Sequence, residues 1–143
     1  MSNPLDDTQR IIAKHGHTVR WIFDPEGQEQ PFAYTVGLCA RPGRAYELAA
    51  AGLPYQHAVA TLNGAAHQLH VDGLDPVEGL ELDEVLIGYA VRLRQVKNTT
   101  GFTAMRELYG WQPPTWQVLV PDVGGRFPGE HDYDQDPAAQ PLL

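Results

Sequence analysis

The architecture turns on one short run, Phe32-Ala33-Tyr34-Thr35-Val36-Gly37-Leu38. Large side chains (Phe32, Tyr34, Val36, Leu38) alternate with small ones (Ala33, Thr35, Gly37), which is the period of an extended strand. A strand face made only of small residues lets a second body approach the backbone, usually a helix and less often a ligand. Ahead of it, Thr18 to Asp24 alternates too, with Val19, Trp21 and Phe23 on one face and Thr18, Arg20 and Ile22 on the other. Asp24-Pro25-Glu26-Gly27 between the runs has turn chemistry, so the front third reads as a β-hairpin.

Downstream, Arg41-Pro42-Gly43 breaks the strand, and Tyr46 to Ala51 reads as a short helix closed by Gly52. A longer helix follows, with Pro54 suited to its first turn. Its Ala58, Leu62, Ala65 and Leu69 form an apolar stripe, and Gln56, Asn63, His67 and His70 a separate polar one. Asp72 to Glu84 holds six acids and no base, broken by Gly73, Pro76 and Gly79, and is expected as an exposed acidic loop with room for a short edge strand. Val85 to Val96 carries the strongest strand pattern, with Val85, Ile87, Tyr89, Val91 and Leu93 facing away from Leu86, Gly88, Ala90, Arg92 and Arg94. Asn98-Thr99-Thr100 is a helix start that Phe102, Met105 and Tyr109 continue to Gly110. Thr115 to Val120 is a last strand, with Trp116, Val118 and Val120 opposite Gln117 and Leu119.

The order β-β-α-α-β-α-β predicts an α+β fold. It would be one domain over residues 1–130, with a mixed or antiparallel sheet of four to five strands and helices mainly on one face. Residues 131–143, acidic and proline-bearing, read as a flexible C-terminal tail.

The chain of 143 residues is 43% hydrophobic and 20% charged, the balance of a globular protein. Eighteen acids against ten bases give a net charge of -8, which argues against nucleic acid as a partner. The single cysteine, Cys39, closes no internal disulfide, and Met1 to Asp7 lacks the basic start and apolar run of a secretion signal. A cytoplasmic location follows as the expectation. Leu48 to Val71 is free of Asp, Glu, Lys and Arg, but Pro54, Gln56, His57, Asn63, His67, Gln68 and His70 make it a poor membrane span and suggest a buried helical hairpin.

No nucleotide-binding glycine pattern, nucleophile elbow or Cys-x-x-Cys pair is present. Three weaker constellations remain. His67 and His70, three apart on a helix, could share a metal ion, but no third ligand is fixed by spacing, and a solvated polar face is the commoner reading. His15-x-His17, and His131 among Asp132 and Asp134, add further imidazoles. Asp122-Val123-Gly124-Gly125-Arg126 could form an anion-binding nest after a strand, with Asp122 as a catalytic carboxylate. A tight turn with Asp122 bonding its own backbone is the favoured alternative. Tyr34, Thr35, Arg92, Arg94 and Gln117 lie in core-like strands and need hydrogen-bond partners, with Glu47 the expected salt-bridge partner of an arginine.

The Tyr34-Thr35-Val36-Gly37-Leu38 block, Glu47-Leu48, Gly52-Leu53 and Leu62-Asn63 resemble a bacterial and phage family of unknown function, domain-of-unknown-function family 4262. Tyr109-Gly110, Gln117, Pro121-Asp122 and Gly125-Arg126-Phe127-Pro128 agree with it, over about Ile12 to Glu130. The chain departs from the family pattern at Tyr46 (a proline there), Val120 (an aromatic) and Gly129 (a tryptophan). The resemblance implies no activity.

The leading expectation is a pocket that binds, with or without transforming it, a small anionic or hydroxylated molecule. Tyr34, Thr35, Arg92, Gln117 and Arg126 would be its ligand-binding residues, and Glu47 or Asp122 the acid/base. No cofactor is specified, and the choice between enzyme and binder stays open. The alternative is an immunity-like or regulatory interaction module that meets a basic partner through Asp72 to Glu84 and the tail. A second copy of the chain, as a homodimer, is the remaining partner considered, and no membrane is expected.

Overall fold

A computed structural model of the chain describes residue 10, residues 16–41 and residues 43–143. His15 and Pro42, used above, lie outside the described residues. The strands among the described residues are β1 (Thr18–Ile22), β2 (Phe32–Val36), β3 (Glu47–Ala51), β4 (Glu81–Leu86), β5 (Tyr89–Gln95) and β6 (Thr115–Leu119). They form one mixed six-stranded sheet in the order β1-β2-β3-β6-β5-β4. Only β3 and β6 run parallel; every other neighbouring pair is antiparallel. The α-helices among the described residues are α1 (Tyr55–Val71) and α2 (Thr103–Tyr109).

The expectation of an α+β fold holds, with six strands in place of four to five. One extra strand is Glu47–Ala51, which is β3 and not a short helix. Alanine's preference for helix is worth less than about 1 kcal/mol per residue, and burial on both faces outweighs it. Leu48 and Ala50 pack under α1, while Ala49 meets Tyr34 and Met105 on the opposite face. The charge-free span Leu48–Val71 is therefore a central strand followed by a helix, not a helical hairpin. No helix among the described residues is long and apolar enough to cross a membrane.

Val85 to Val96 is not one strand either. Gly88, at φ 83, turns the chain after the fully exposed Ile87, and Leu86 pairs back onto Tyr89. The turn falls in phase with the alternation, so the pattern runs through it unbroken.

Pro54 precedes the first turn of α1, and Ala58, Leu62, Ala65 and Leu69 are each at most 1% exposed against Ala33, Leu48, Ala50, Val91, Leu93 and Val118. The body that the small face of β2 admits is thus a helix. Phe102, Ala104 and Met105 pack on Tyr34, Val36 and Ala49, so α2 covers the other face. Helices lie on both faces rather than mainly on one. Asn98 accepts from the Thr100 amide and hydroxyl in a preceding turn, which delays the start of α2 to Thr103.

Residues 137–143 lie against the sheet. The Gln140 carboxamide bonds both main-chain groups of Val120, each at 2.8 Å, and Gln117 bonds Pro141 O and Leu143 N. Gly52, at φ 77, faces this segment so closely that a Cβ there would overlap the Ala139 oxygen. Gly52→Ala is expected to cost roughly 1–3 kcal/mol for the backbone alone, and to speed amide exchange at residues 139–143. Gly73→Ala, at φ 64 in open space, should show only the first effect. Equal exchange in both variants would contradict this placement of the segment.

Candidate functional site

Gly37, at φ 111, ends β2 and leads into a single 3-10 turn, Leu38–Ala40. The amides that open this turn point at Glu47, the first residue of β3, which is 0% exposed. Glu47 Oε1 accepts from the Thr35 hydroxyl at 2.7 Å and from Leu38 N at 3.3 Å. Its Oε2 accepts from Cys39 N at 3.1 Å, Gly37 N at 3.3 Å and the Tyr109 hydroxyl at 2.6 Å. A carboxylate offers about four lone-pair sites, so these donors occupy them all. Among the described residues no arginine pairs with Glu47; amide dipoles and hydroxyls replace the expected cation. Thr35 Oγ1 also accepts Leu48 N at 2.9 Å, which continues the β2–β3 ladder one step beyond the Tyr34–Ala49 pair.

Tyr109 sits at the end of α2, before Gly110 at φ 77. Burial, and then the Glu47 charge, hold its phenol well above the ordinary tyrosine range, so it stays a donor to the carboxylate. It also accepts from Gly37 N. The half-buried Cys39 thiol is pushed up to about 11, mainly by burial, with the Glu47 charge adding to it. The thiol therefore carries little thiolate at neutral pH, and that makes it a poor nucleophile.

Tyr34, Ala49, Gln117 and Arg94 form one register row across β2, β3, β6 and β5. The Tyr34 hydroxyl accepts Ala104 N at 3.2 Å, one of the amides that α2 leaves unpaired at its start, and the ring packs 5.1 Å from Phe102. Gln117 takes Arg94 Nη1 at 3.2 Å and Leu143 N at 2.9 Å on its oxygen and gives its amide to Pro141 O at 2.7 Å. Arg94 also donates to Leu143 O at 2.6 Å. The fold thus gathers Tyr34, Thr35, Glu47 and Gln117 on neighbouring strands.

Arg92 is elsewhere. It lies beside edge strand β4, with Glu81 and Glu130 each at 2.8 Å and the Phe127 ring 4.2 Å beneath its guanidinium. Asp122 and Arg126 form a further loop. Asp122 Oδ1 accepts Gly124 N at 2.9 Å and Arg126 N at 2.8 Å, and Oδ2 accepts Asp134 N at 2.9 Å. The amides that could have cradled an anion are taken by Asp122 itself. Its burial alone would raise the carboxyl's pKa; the amides of Arg126, Asp134 and Gly124, with the Arg126 charge, reverse that and hold it below the usual value.

Two hollows flank these clusters. One, of about 600 Å³, lies on the α2 face and is lined by Phe32, Ala51, Phe102, Gln28, Asn98 and Leu143, among others. Tyr34 supports its Phe floor, and Gln117 and Arg94 hold the segment that walls it. The other, of about 220 Å³, contains His67 and His70 together with His17, Arg41, Arg44 and Asn63. No group of three or more His, Cys, Asp or Glu among the described residues is placed to hold a metal ion. The sequence reading passed over Arg41, Arg44 and Tyr109 as site residues. Nothing in local spacing brings Tyr109 to Glu47, 62 residues away.

Glu47→Gln replaces an acceptor with an amide that faces N–H groups. It should lower stability by roughly 3 kcal/mol or more, and Tyr109→Phe by about 1.5–3 kcal/mol, both read by urea unfolding. Asp122's depressed pKa gives stability that is fully present above the unfolded value near 3.8 and lost as pH falls through the lower folded value. Asp122→Asn should therefore flatten the acid limb of a stability–pH profile; an unchanged limb would contradict this.

No curated protein and no solved structure matches the chain. A family model does match, over residues 11–134, and its description is domain of unknown function (DUF4262). With most of its length inside that match, the chain belongs to the DUF4262 family.

Proposed function

We propose that this protein binds a small hydroxylated molecule with an apolar face in the hollow of about 600 Å³ on the α2 side of the sheet. The observation that carries the reading is the composition of that hollow. Its size falls within the roughly 300–1,000 Å³ of ordinary ligand pockets. Phe32, Phe102 and Ala51 give it an apolar floor, while Gln28, Gln30, Asn98 and Thr100 bring carboxamides and a hydroxyl to the walls. Among the described lining residues Glu29 has the one charged side chain, which favours a neutral hydroxylated ligand over an anion here. In this reading Tyr34 and Gln117 support the walls from behind, and Glu47 and Asp122 are positioning residues, because their oxygens are already engaged by amides and hydroxyls. The acidic-surface alternative has less support, since Glu81 and Glu130 already neutralise Arg92 and Asp83 accepts from Gln68.

Ala138 lines the hollow from an exposed position, so a bulky side chain there blocks the space without entering the core. Saturation-transfer NMR with a panel of nucleosides, methyl glycosides and polyols is expected to find binders that contact the Phe32 ring. Ala138→Trp is expected to abolish their signal. Absence of binding across the panel, or binding that survives Ala138→Trp, would count against the reading.

A further inference from the structure

The second hollow has the opposite chemistry. It lies against α1, and its lining among the described residues is His17, Arg41, Arg44, Asn63, Ala66, His67 and His70, none of them an acid. That is unexpected in a chain of net charge -8. Other arginines of the fold have their guanidinium groups engaged internally, by acids or by neutral oxygens. Arg92 meets two carboxylates, Arg94 an amide oxygen and a main-chain oxygen, and Arg106 the main-chain oxygens of Thr99 and Thr100. Arg126 lies 3.7 Å from Asp122. Arg41 and Arg44 have no such acid partner among the described residues.

The donors converge from different elements. Arg41 and Arg44 come from the loop between the 3-10 turn and β3, His17 from the residue before β1, and Asn63, His67 and His70 from the polar stripe of α1. Arg44 Nε and His17 Nδ1 are both buried without a hydrogen-bond partner among the described residues, and leaving such groups unsatisfied is costly. His17 Nε2 donates to Asn63 Oδ1 at 2.8 Å, which fixes the ring and leaves Nδ1, a donor in the imidazolium form, as its open position. Gly16, at φ 93, has no side chain to obstruct Arg41; a Cβ there would stand 2.9 Å from the guanidinium carbon.

We infer that this hollow is an anion site for a phosphoryl group, as inorganic phosphate or as the head of a small phosphomonoester. Guanidinium forks pair bidentately with phosphate oxygens. Donors arriving from several sides suit a tetrahedral anion better than a planar carboxylate. The volume of about 220 Å³ holds such a group but falls below the roughly 300 Å³ at which pockets enclose a whole drug-sized ligand, so the remainder of an ester would project outward. The site shares no lining residue with the larger hollow and stands independently of what that hollow binds.

The test is calorimetric titration of the full chain with inorganic phosphate, glycerol 3-phosphate and acetate, each at an ionic strength held constant with chloride. Saturable binding of phosphate or its ester, with acetate much weaker, is expected. The comparison of the two phosphates separates the free ion from the ester as the natural ligand chemistry. Arg41→Gln and Arg44→Gln should each weaken binding roughly tenfold or more, as expected for a lost charged hydrogen bond. His67→Ala, an exposed change away from the core, should weaken it measurably, and Arg92→Gln should leave it unchanged. Phosphate that binds no better than chloride, or affinity that survives the double substitution of Arg41 and Arg44 in a folded protein, overturns the inference.

Discussion

A carboxylate with no access to water must find its compensation inside the protein, and Glu47 finds it in donors from β2, from the turn after it and from α2. The amides of Gly37, Leu38 and Cys39 come from the turn after β2, the hydroxyl of Thr35 from β2 itself and the phenol of Tyr109 from α2. Desolvating an ion costs several kcal/mol. Hydrogen bonds to a charged group return about 1.5–3 kcal/mol each, so a set of this size is what the burial requires. No single donor would suffice. The arrangement therefore demands that β2, β3 and α2 all be in place together, and it links the helix on one face of the sheet to the strand that supports the helix on the other.

Both hollows depend on this junction. The larger one takes its floor from Ala51, at the far end of the strand that Glu47 opens, and from Phe102, at the start of the helix that Tyr109 closes. The smaller one takes Arg41 and Arg44 from the loop that leaves the 3-10 turn held by the carboxylate. One is apolar with neutral hydrogen-bonding walls and the other is cationic. A single buried charge, engaged by its own neighbours, thus sets the frame for two surfaces of contrasting chemistry.

Much of the fold was legible in the residues. The large–small alternation of β2 and the apolar stripe of α1 each reported one face of an element and the partner that face would need. β3 was not legible because three successive alanines carry helical preference and no alternation; only burial between β2 and β6, a property of the assembled sheet, makes them a strand. The Ile87–Gly88 turn was hidden because it keeps the period of the strands on either side. Of the site, the need of Glu47 and Gln117 for partners was visible from their apolar surroundings, but the partners were not. Tyr109 and Leu143 approach from 62 and 26 residues away, and no spacing encodes that. The arginine–histidine hollow was present in the sequence only as separate fragments, a polar helical stripe and two arginines flanking a turn, and tertiary folding alone joins them.

Native-state amide exchange at Gly37, Leu38 and Cys39, followed by NMR in the wild type and in Glu47→Gln, addresses the junction most directly. These amides lie in a connection, where exchange is ordinarily fast. If the carboxylate organises the junction, the three should exchange as slowly as the amides of β3 in the wild type and be selectively accelerated in the variant. Wild-type exchange as fast as that of the exposed turn at Gly27 and Gln28 would contradict the account.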